Sequence, residues 1–226
     1  MREDAPPTVD PMIAGERRCM KNSKIIALDC DGVLLDYGLA YGDAWSRAFS
    51  EAPILYNPNA YWPIDRWNVP TLSGQALEQL RSAFDEVFWS SIPAIDGALE
   101  ACQLLVNAGY ELVCVTAISD LHLPARRHNL EALGFPIADV IATANEASRQ
   151  SPKAFALNAL NCTAFVEDFA PYLVGVDETI HKALILRDPD GSPNVGQALE
   201  LANSTHGNLS DFAHWWCGAL NGKAQS

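Results

Sequence analysis

The sequence predicts an α/β fold in which a parallel β-sheet carries helices on both faces. Short apolar segments of strand length alternate along the chain with segments whose apolar residues have helical spacing. Such alternation is typical of strands joined by helical crossovers, which form a three-layer structure. The chain has 226 residues, 49% of them apolar, and this is enough for one compact domain or for a domain with a small insert.

Five segments are predicted as strands, and four as the main helices of the core. Gly109 and Gly134 each end a helical segment with a typical stop residue. Ser151 and Pro152 begin another helix as its N-cap and first helical residue. In a sheet of this kind the ligand site lies at the carboxyl ends of the strands. The predicted strands are residues 25–29, 111–117, 139–143, 163–168 and 182–188, and the predicted helices are residues 97–109, 125–134, 151–160 and 208–220.

Residues 37–90 interrupt this alternation. They hold 11 of the 20 aromatic residues of the chain and contain helical pieces near 40–52 and 73–88, with a loop between them. An insert of this length after the first strand is expected to form a small helical cap over the strand ends. The sequence therefore predicts a cap of residues 37–90 inserted into an α/β core of residues 23–36 and 91–226.

Composition and the N-terminus restrict the class of protein. Residues 1–22 are polar, Pro-rich and aperiodic, so we expect a disordered leader, with Met20 as an alternative start. The net charge of −13 disfavours nucleic-acid polymers and anionic membranes as partners. No apolar run reaches the roughly 18 residues of a transmembrane helix, and no apolar signal core is present. The six scattered cysteines form no C-x-x-C pair, which predicts reduced thiols in a cytoplasmic protein.

The first strand, in the stretch KIIALDCDGVLLDY (residues 24–37), ends in two carboxylates one residue apart. On an extended backbone Asp29 and Asp31 point to the same side, although like charges at close range disfavour ionisation of both. Gly32 permits the tight turn that would expose them. Two functions fit the pair. The carboxylates could share a hard cation such as Mg²⁺, or one could act as nucleophile while the other carries protons.

Three further polar features lie at the ends of other predicted strands and helices. Thr116 places a hydroxyl at the end of the second strand, and Lys153 places a cation in the first turn of a helix. A cation there opposes the helix dipole by roughly 0.3–1 kcal/mol, so a bound anion would explain it. Glu167 and Asp168 form a second acidic pair at a strand end. A phosphate group bound beside a metal ion would use all of these side chains.

In this order, DCDGVLLD, Thr116, Lys153 and the Glu167-Asp168 pair resemble the four motifs of the haloacid dehalogenase-like (HAD) superfamily. The first motif, an apolar run followed by D-x-D-G-V-L, is the specific one. The other three are single positions, supported by their order and spacing. The resemblance covers residues 24–190 and implies a Rossmann-like core with a cap inserted after the first motif.

The resemblance also implies a role for each motif residue. Asp29 would be the nucleophile that takes the phosphoryl group as an aspartyl phosphate, and Asp31 would protonate the leaving oxygen and then activate water. Thr116 and Lys153 would hold the phosphoryl oxygens. Magnesium would be bound by Asp168, by Asp29 and by the carbonyl of Asp31, with Glu167 in or near that shell.

The reaction class follows from the same resemblance. The dehalogenase branch lacks a second aspartate at the position of Asp31 and uses no metal, so the motif set favours a phosphatase that hydrolyses a small phosphorylated metabolite with Mg²⁺. A phosphomutase is one alternative. A module that binds metal and phosphate on the same fold without turnover is another.

The cap suggests a substrate class. DGVLLDY, a short cap and the segment FWSSIPAIDGALEACQLLVNAGYELVCVTA are similar to the 5'(3')-deoxyribonucleotidase branch, in which cap aromatics stack on a nucleobase. By this analogy Tyr37, Tyr61, Trp62 or Trp67 could form the platform, since stacking one base contributes about 1–3 kcal/mol. The same rings could instead be the core of the cap. The second motif departs from that branch, because it reads VTAIS where the branch has T-S-P. Sugar phosphates and phosphoglycolate also fit a small cap.

Overall fold

The computed structural model of the chain describes residues 24–143 and 151–223, and side chains as far as residue 218. The predicted leader of residues 1–22 lies outside the described residues. The division into core and cap stays a prediction, although the elements described below place helices in the predicted cap segment.

Six strands form one parallel sheet in the order β3-β2-β1-β4-β5-β6, which confirms the predicted α/β architecture. Strand β1 lies in the interior of the sheet, and Leu28 at its end pairs with Cys114 of β2 and Val166 of β4. The ends of these three strands therefore lie side by side. The strands are β1 (Lys24–Leu28), β2 (Tyr110–Thr116), β3 (Asp139–Ala142), β4 (Ala164–Glu167), β5 (His181–Ile185) and β6 (Ser204–His206).

Alternate residues of the strands supply the two cores on either side of the sheet. In β1, Ile26 and Leu28 join one cluster of buried apolar side chains, and Ala27 between them joins the other. Both faces are covered, so the strands read as nearly continuous apolar runs, which is typical of parallel sheets. The fold thus leaves the carboxyl ends of the strands as the place where polar side chains can gather.

Eight α-helices accompany the sheet in the described residues. Four of them, α1 to α4, lie between β1 and residue 90, in the segment predicted to form the cap. The helices are α1 (Tyr37–Phe49), α2 (Pro63–Arg66), α3 (Gly74–Ser82), α4 (Glu86–Trp89), α5 (Ala98–Asn107), α6 (Leu123–Ala132), α7 (Ala154–Leu160) and α8 (Leu209–Lys223), and short 3₁₀ turns span Asp120–His122, Ala170–Leu173 and Gly196–Leu201.

Several elements differ from the sequence prediction. One is helix α2, which lies within the segment of the insert that was predicted as a loop. Strand β6 was not predicted, because its three residues, Ser204–His206, are polar and form the edge of the sheet. Helix α7 begins at Ala154 rather than at Ser151, and Lys153 stands at its N-cap. The hydroxyl of Ser151 accepts the backbone N–H of Lys153 at 3.1 Å, so Ser151 caps the turn that leads into the helix.

A membrane span requires a helix of sufficient length and apolar character. Among the described helices, none is both long and apolar enough to cross a membrane.

Candidate active site

All four motif positions open onto one cavity of about 390 Å³ at the carboxyl edge of the sheet. Asp29 follows β1 directly and continues its ladder, because its backbone N–H donates to the carbonyl of Val166 at 2.9 Å. Thr116 is the last residue of β2, and Glu167 is the last residue of β4. The structure therefore brings the sequence-predicted core residues together, and the cavity is lined by Asp29, Asp31, Thr116, Lys153, Glu167 and Asp168.

Three of the carboxylates form a compact acidic cluster. Asp29, Glu167 and Asp168 each place an oxygen within 4.8 Å of the others, and each residue is at most 6% exposed. Burial raises the pKa of Asp168 to about 6, against the opposing effect of Arg187. Burial and the nearby Asp29 also raise the pKa of Glu167 well above its usual range. Buried carboxylates at this spacing need positive charge from a partner.

Lys153 supplies part of that charge. Its side chain is fully buried, and its Nζ lies 2.5 Å from Asp29 Oδ1 and 2.6 Å from Glu167 Oε2. Burial alone would lower the pKa of Lys153, but Asp29 and Glu167 raise it above its usual value. Lys153 is therefore a protonated cation that holds the Asp29 carboxylate in a fixed position.

Glu167 uses both of its oxygens within the protein. Oε2 accepts from Lys153, and Oε1 accepts the backbone N–H groups of Asp168 and Phe169, each at 3.1 Å. The carboxylate thus fixes Lys153 on one side and the turn after β4 on the other. This arrangement favours a role in supporting the site over the predicted position within a metal shell.

Asp168 is held by a second cation and by a close backbone approach. The Nε and Nη2 atoms of Arg187 both lie 2.7 Å from Asp168 Oδ2. Gly32 packs against this pair at a φ of +85°, and a Cβ there would collide with the Asp168 carboxylate and the Arg187 guanidinium. The backbone carbonyl of Asp168 accepts from Tyr61 at 3.0 Å and from Asn194 at 2.6 Å.

Asp31 stands apart from the acidic cluster. Its side chain is 27% exposed and lies 2.8 Å from Nη2 of Arg126, a residue with no exposed surface. Burial raises the pKa of Asp31, while the charge of Arg126 opposes that rise. The two aspartates of the first motif therefore have different partners, Lys153 for Asp29 and Arg126 for Asp31.

The outer wall of the cavity is aromatic. Of the four predicted platform residues, Tyr37, Tyr61 and Trp62 line it, and Trp62 is the most open of these at 43% exposure. Tyr61 is nearly buried, with Arg187 over its ring and its hydroxyl on Asp168. Trp67 does not line this cavity, and that part of the prediction is corrected. Its indole N–H donates to the carbonyl of Gly38, and its ring packs in a small apolar cluster of the insert.

Sequence reasoning missed several residues of the site. Arg187 follows β5 at the same sheet edge, and its place just past an apolar strand was a usable signal. Arg126 belongs to an Arg-Arg-His run that resembles a solvated helix face, yet it is buried, while Arg127 is partly exposed and paired with Asp139. The remaining missed residues are wall residues that carry no motif, namely Pro63, Trp89, Ala117, Ile118, Phe169 and Tyr172.

The donor set fits a hard divalent cation. Asp29 and Asp168 each use one carboxylate oxygen in an ion pair, and each has a second oxygen outside those pairs. Carboxylate oxygens are the ligands that Mg²⁺ prefers. If all were ionised, the four carboxylates (Asp29, Asp31, Glu167 and Asp168) and the three basic side chains (Arg126, Lys153 and Arg187) would carry a formal net charge of −1, which a divalent cation would make positive. The residues present therefore fit Mg²⁺, with Asp29 and Asp168 as the ligands.

Comparison with known proteins supports the fold. No protein-family model and no curated protein sequence matches this chain. Many solved structures are similar in fold, including the following three. A HAD family hydrolase from Deinococcus radiodurans R1, with bound phosphate and sodium, has a TM-score of 0.60 at 14% identity over 87% of this chain and 96% of that one.

The other two structures are similar to this chain to about the same degree as the first. A HAD-superfamily hydrolase of subfamily IA from Geobacter sulfurreducens PCA has a TM-score of 0.55 at 17% identity, covering 85% of this chain and 96% of that one. A protein from Haemophilus somnus 129pt, described as a predicted phosphoglycolate phosphatase, has a TM-score of 0.54 at 15% identity, covering 87% and 99%. The chain therefore has the Rossmann-like α/β fold found in HAD-superfamily hydrolases.

Proposed function

We propose that this protein is a Mg²⁺-dependent phosphatase that hydrolyses a small phosphomonoester through an aspartyl phosphate on Asp29. One observation carries the proposal. The buried Asp29 carboxylate is oriented by Lys153 and opens onto the same cavity as Thr116, Asp31 and Asp168. Phosphoryl transfer requires mainly in-line positioning and neutralised charge, and this group of side chains supplies both.

In the first step an oxygen of Asp29 attacks phosphorus, and the bond between phosphorus and the ester oxygen breaks. Asp31, in its protonated form, gives its proton to that oxygen, so the alcohol leaves neutral. Lys153 and the Thr116 hydroxyl donate hydrogen bonds to the phosphoryl oxygens. The products of this step are the free alcohol, an aspartyl phosphate at residue 29 and an ionised Asp31.

In the second step the ionised Asp31 takes a proton from water, and the water oxygen attacks phosphorus. The bond between phosphorus and the Asp29 oxygen breaks, which releases inorganic phosphate and restores both carboxyl groups. Dividing the hydrolysis in this way replaces one difficult step with two easier ones. A Mg²⁺ ion bound at Asp29 and Asp168 would neutralise charge on the transferred group.

The aromatic wall supports a nucleoside monophosphate as the finer substrate assignment. Trp62 is exposed at the cavity, and Tyr37 and Trp89 line it as well. A base stacked on one such ring gains about 1–3 kcal/mol. Replacement of Trp62 by Leu should therefore raise KM for a nucleotide about 5- to 100-fold and change KM for a simple sugar phosphate little. Equal KM values for Trp62→Leu and wild type on nucleotides would remove this assignment and leave the phosphatase reaction intact.

A panel of phosphorylated metabolites tests the phosphatase reaction itself. Phosphate release should require Mg²⁺, stop with EDTA, and disappear in Asp29→Asn while the fold is retained. Full activity in Asp29→Asn would contradict the nucleophile assignment. Transfer of phosphate to a second sugar position without release would indicate a phosphomutase, and Mg²⁺ binding without any reaction would indicate a binding module.

A further inference from the structure

Helix α6 carries an arginine whose burial is unusual. Arg126 has no exposed surface, and the adjacent Arg127 has a side chain that is 41% exposed. Arg126 lies on the inward face of the helix with Asn129, whose amide donates to the carbonyl of Ile92 at 2.9 Å. Full burial of a guanidinium is costly, so the charge of Arg126 must be balanced inside the protein.

The contacts of Arg126 are few and directed at one acid. Its Nη2 lies 2.9 Å from Asp31 Oδ2 and 2.8 Å from Oδ1. Its guanidinium carbon lies 5.0 Å from the centre of the Trp89 ring. Within residues 24–143 and 151–218, Nε and Nη1 have no hydrogen-bond partner. Asp31 is the only carboxylate in that part of the chain with which Arg126 forms an ion pair.

The position of the Arg126–Asp31 ion pair relative to the cavity indicates what the arginine does. Asp31 and Trp89 both line the cavity, whereas Arg126 lies behind them. Arg126 therefore does not contact a ligand in the cavity and can act on one only through its ion pair with Asp31. A buried ion pair adds little to stability compared with apolar packing, so stability alone does not account for this arginine.

We propose that Arg126 is a positioning residue that holds the Asp31 carboxyl group in the orientation needed to give a proton to the leaving oxygen. Nη2 spans both carboxylate oxygens, and the ring of Trp89 limits how the guanidinium can turn. Asp31 follows the strand end on a turn at Gly32, so its side chain depends on such a partner for a fixed direction. This inference rests on the proposed phosphatase function.

The test compares two esters that differ in their need for a proton. A p-nitrophenyl phosphate expels a stable phenolate without help, whereas an alkyl phosphate must receive a proton as it leaves. Because kcat/KM reports the steps up to departure of the alcohol, it isolates the contribution of Asp31. In Arg126→Lys, kcat/KM should fall about 10- to 100-fold for the alkyl ester and less than about threefold for the aryl ester.

Several controls separate positioning from damage to the fold. Arg127→Met, on the same helix but paired with Asp139 rather than Asp31, should leave kcat/KM for both esters unchanged. Asp31→Asn should show the same dependence on the leaving group, and adding Arg126→Lys to it should cause no further loss, because the arginine acts through that residue. Mg²⁺ affinity, measured by calorimetry, should be the same in Arg126→Lys and wild type.

Three outcomes would overturn the inference. They are equal losses on the two esters, full activity of Arg126→Lys on the alkyl ester, and a further loss when Arg126→Lys is added to Asp31→Asn. Arg126→Gln provides a second variant, and failure of both to fold would assign the arginine a structural role instead. Activity of Asp29→Asn on either ester would contradict the phosphatase proposal itself, which keeps the two failures distinct.

Discussion

Lys153 shows how one buried cation can balance two of the acids of the site. Its ammonium group is fully buried between Asp29 and Glu167. At the sequence level its place in a first helical turn indicated an anion, but the two carboxylate partners became visible only in the fold. Removal of the lysine would leave two buried acids without their shared cation.

We therefore expect Lys153→Met to lower the free energy of unfolding by about 3–5 kcal/mol in metal-free buffer, because a buried charge loses its partner. Urea unfolding followed by circular dichroism measures this change. The matched control is Arg81→Met, which removes an exposed ion pair with Glu78. It should cost about 0–1 kcal/mol. A Lys153→Met variant as stable as the control would show that the ion pairs do not balance the acidic cluster.

Metal binding should depend on pH through Asp168. The pKa of its carboxyl group is raised to about 6, mainly by burial. A cation requires the ionised form, so affinity should be highest well above pH 6 and fall as the pH drops through that value. Titration calorimetry with Mg²⁺ between pH 5 and 8 measures the change. Equal affinity at pH 5 and pH 7 would contradict the assignment of Asp168 as a ligand.

At the scale of elements, the turn after β1 determines the geometry of the site. Gly32 has a φ of +85° and lies against Asp168 and Arg187, so no side chain fits there. We expect Gly32→Ala to weaken Mg²⁺ binding about 10- to 100-fold, because the added methyl group would displace Asp168 and its partner Arg187. Changes to the partners of metal ligands typically reduce metal affinity by this factor. Calorimetry at pH 7.5 is the measurement.

Gly109 provides the control for backbone strain alone. It has a φ of +90°, and a Cβ there would meet nothing within 4 Å. Gly109→Ala should cost about 1–2 kcal/mol of stability from the left-handed conformation and leave Mg²⁺ affinity unchanged. Equal Mg²⁺ affinities in Gly32→Ala and Gly109→Ala would show that the close approach at Gly32 has no effect on the ligands.

The elements also show where sequence patterns were sufficient. The apolar runs predicted strands β1 to β5 to within a few residues, because strands covered on both faces must be largely apolar. Strand β6 has polar residues at an edge, so no pattern marked it. Helix α6 has a buried arginine and a buried asparagine on its inward face, and that composition resembles an exposed helix until tertiary contacts are known.

At the scale of the whole molecule, the parallel sheet explains why motif residues distant in sequence share one cavity. Asp29, Thr116 and Glu167 end three adjacent strands, so topology alone brings them together. The rest of the site was not predictable in this way. The cations Arg126 and Arg187 and the displacement of Trp67 into the apolar cluster of the insert depend on packing between elements, which single-residue patterns do not encode.

The central claim is that Asp29 carries the phosphoryl group during turnover. The most direct measurement traps this intermediate. The enzyme is allowed to turn over substrate in the presence of Mg²⁺, is quenched in the steady state and is then reduced with borohydride. Peptide mass spectrometry of the product locates the modified residue. An aspartyl phosphate is reduced to homoserine, so the account predicts homoserine at residue 29 and nowhere else, and none in a sample without substrate. Active enzyme that yields unmodified Asp29, or homoserine at another aspartate, would contradict it.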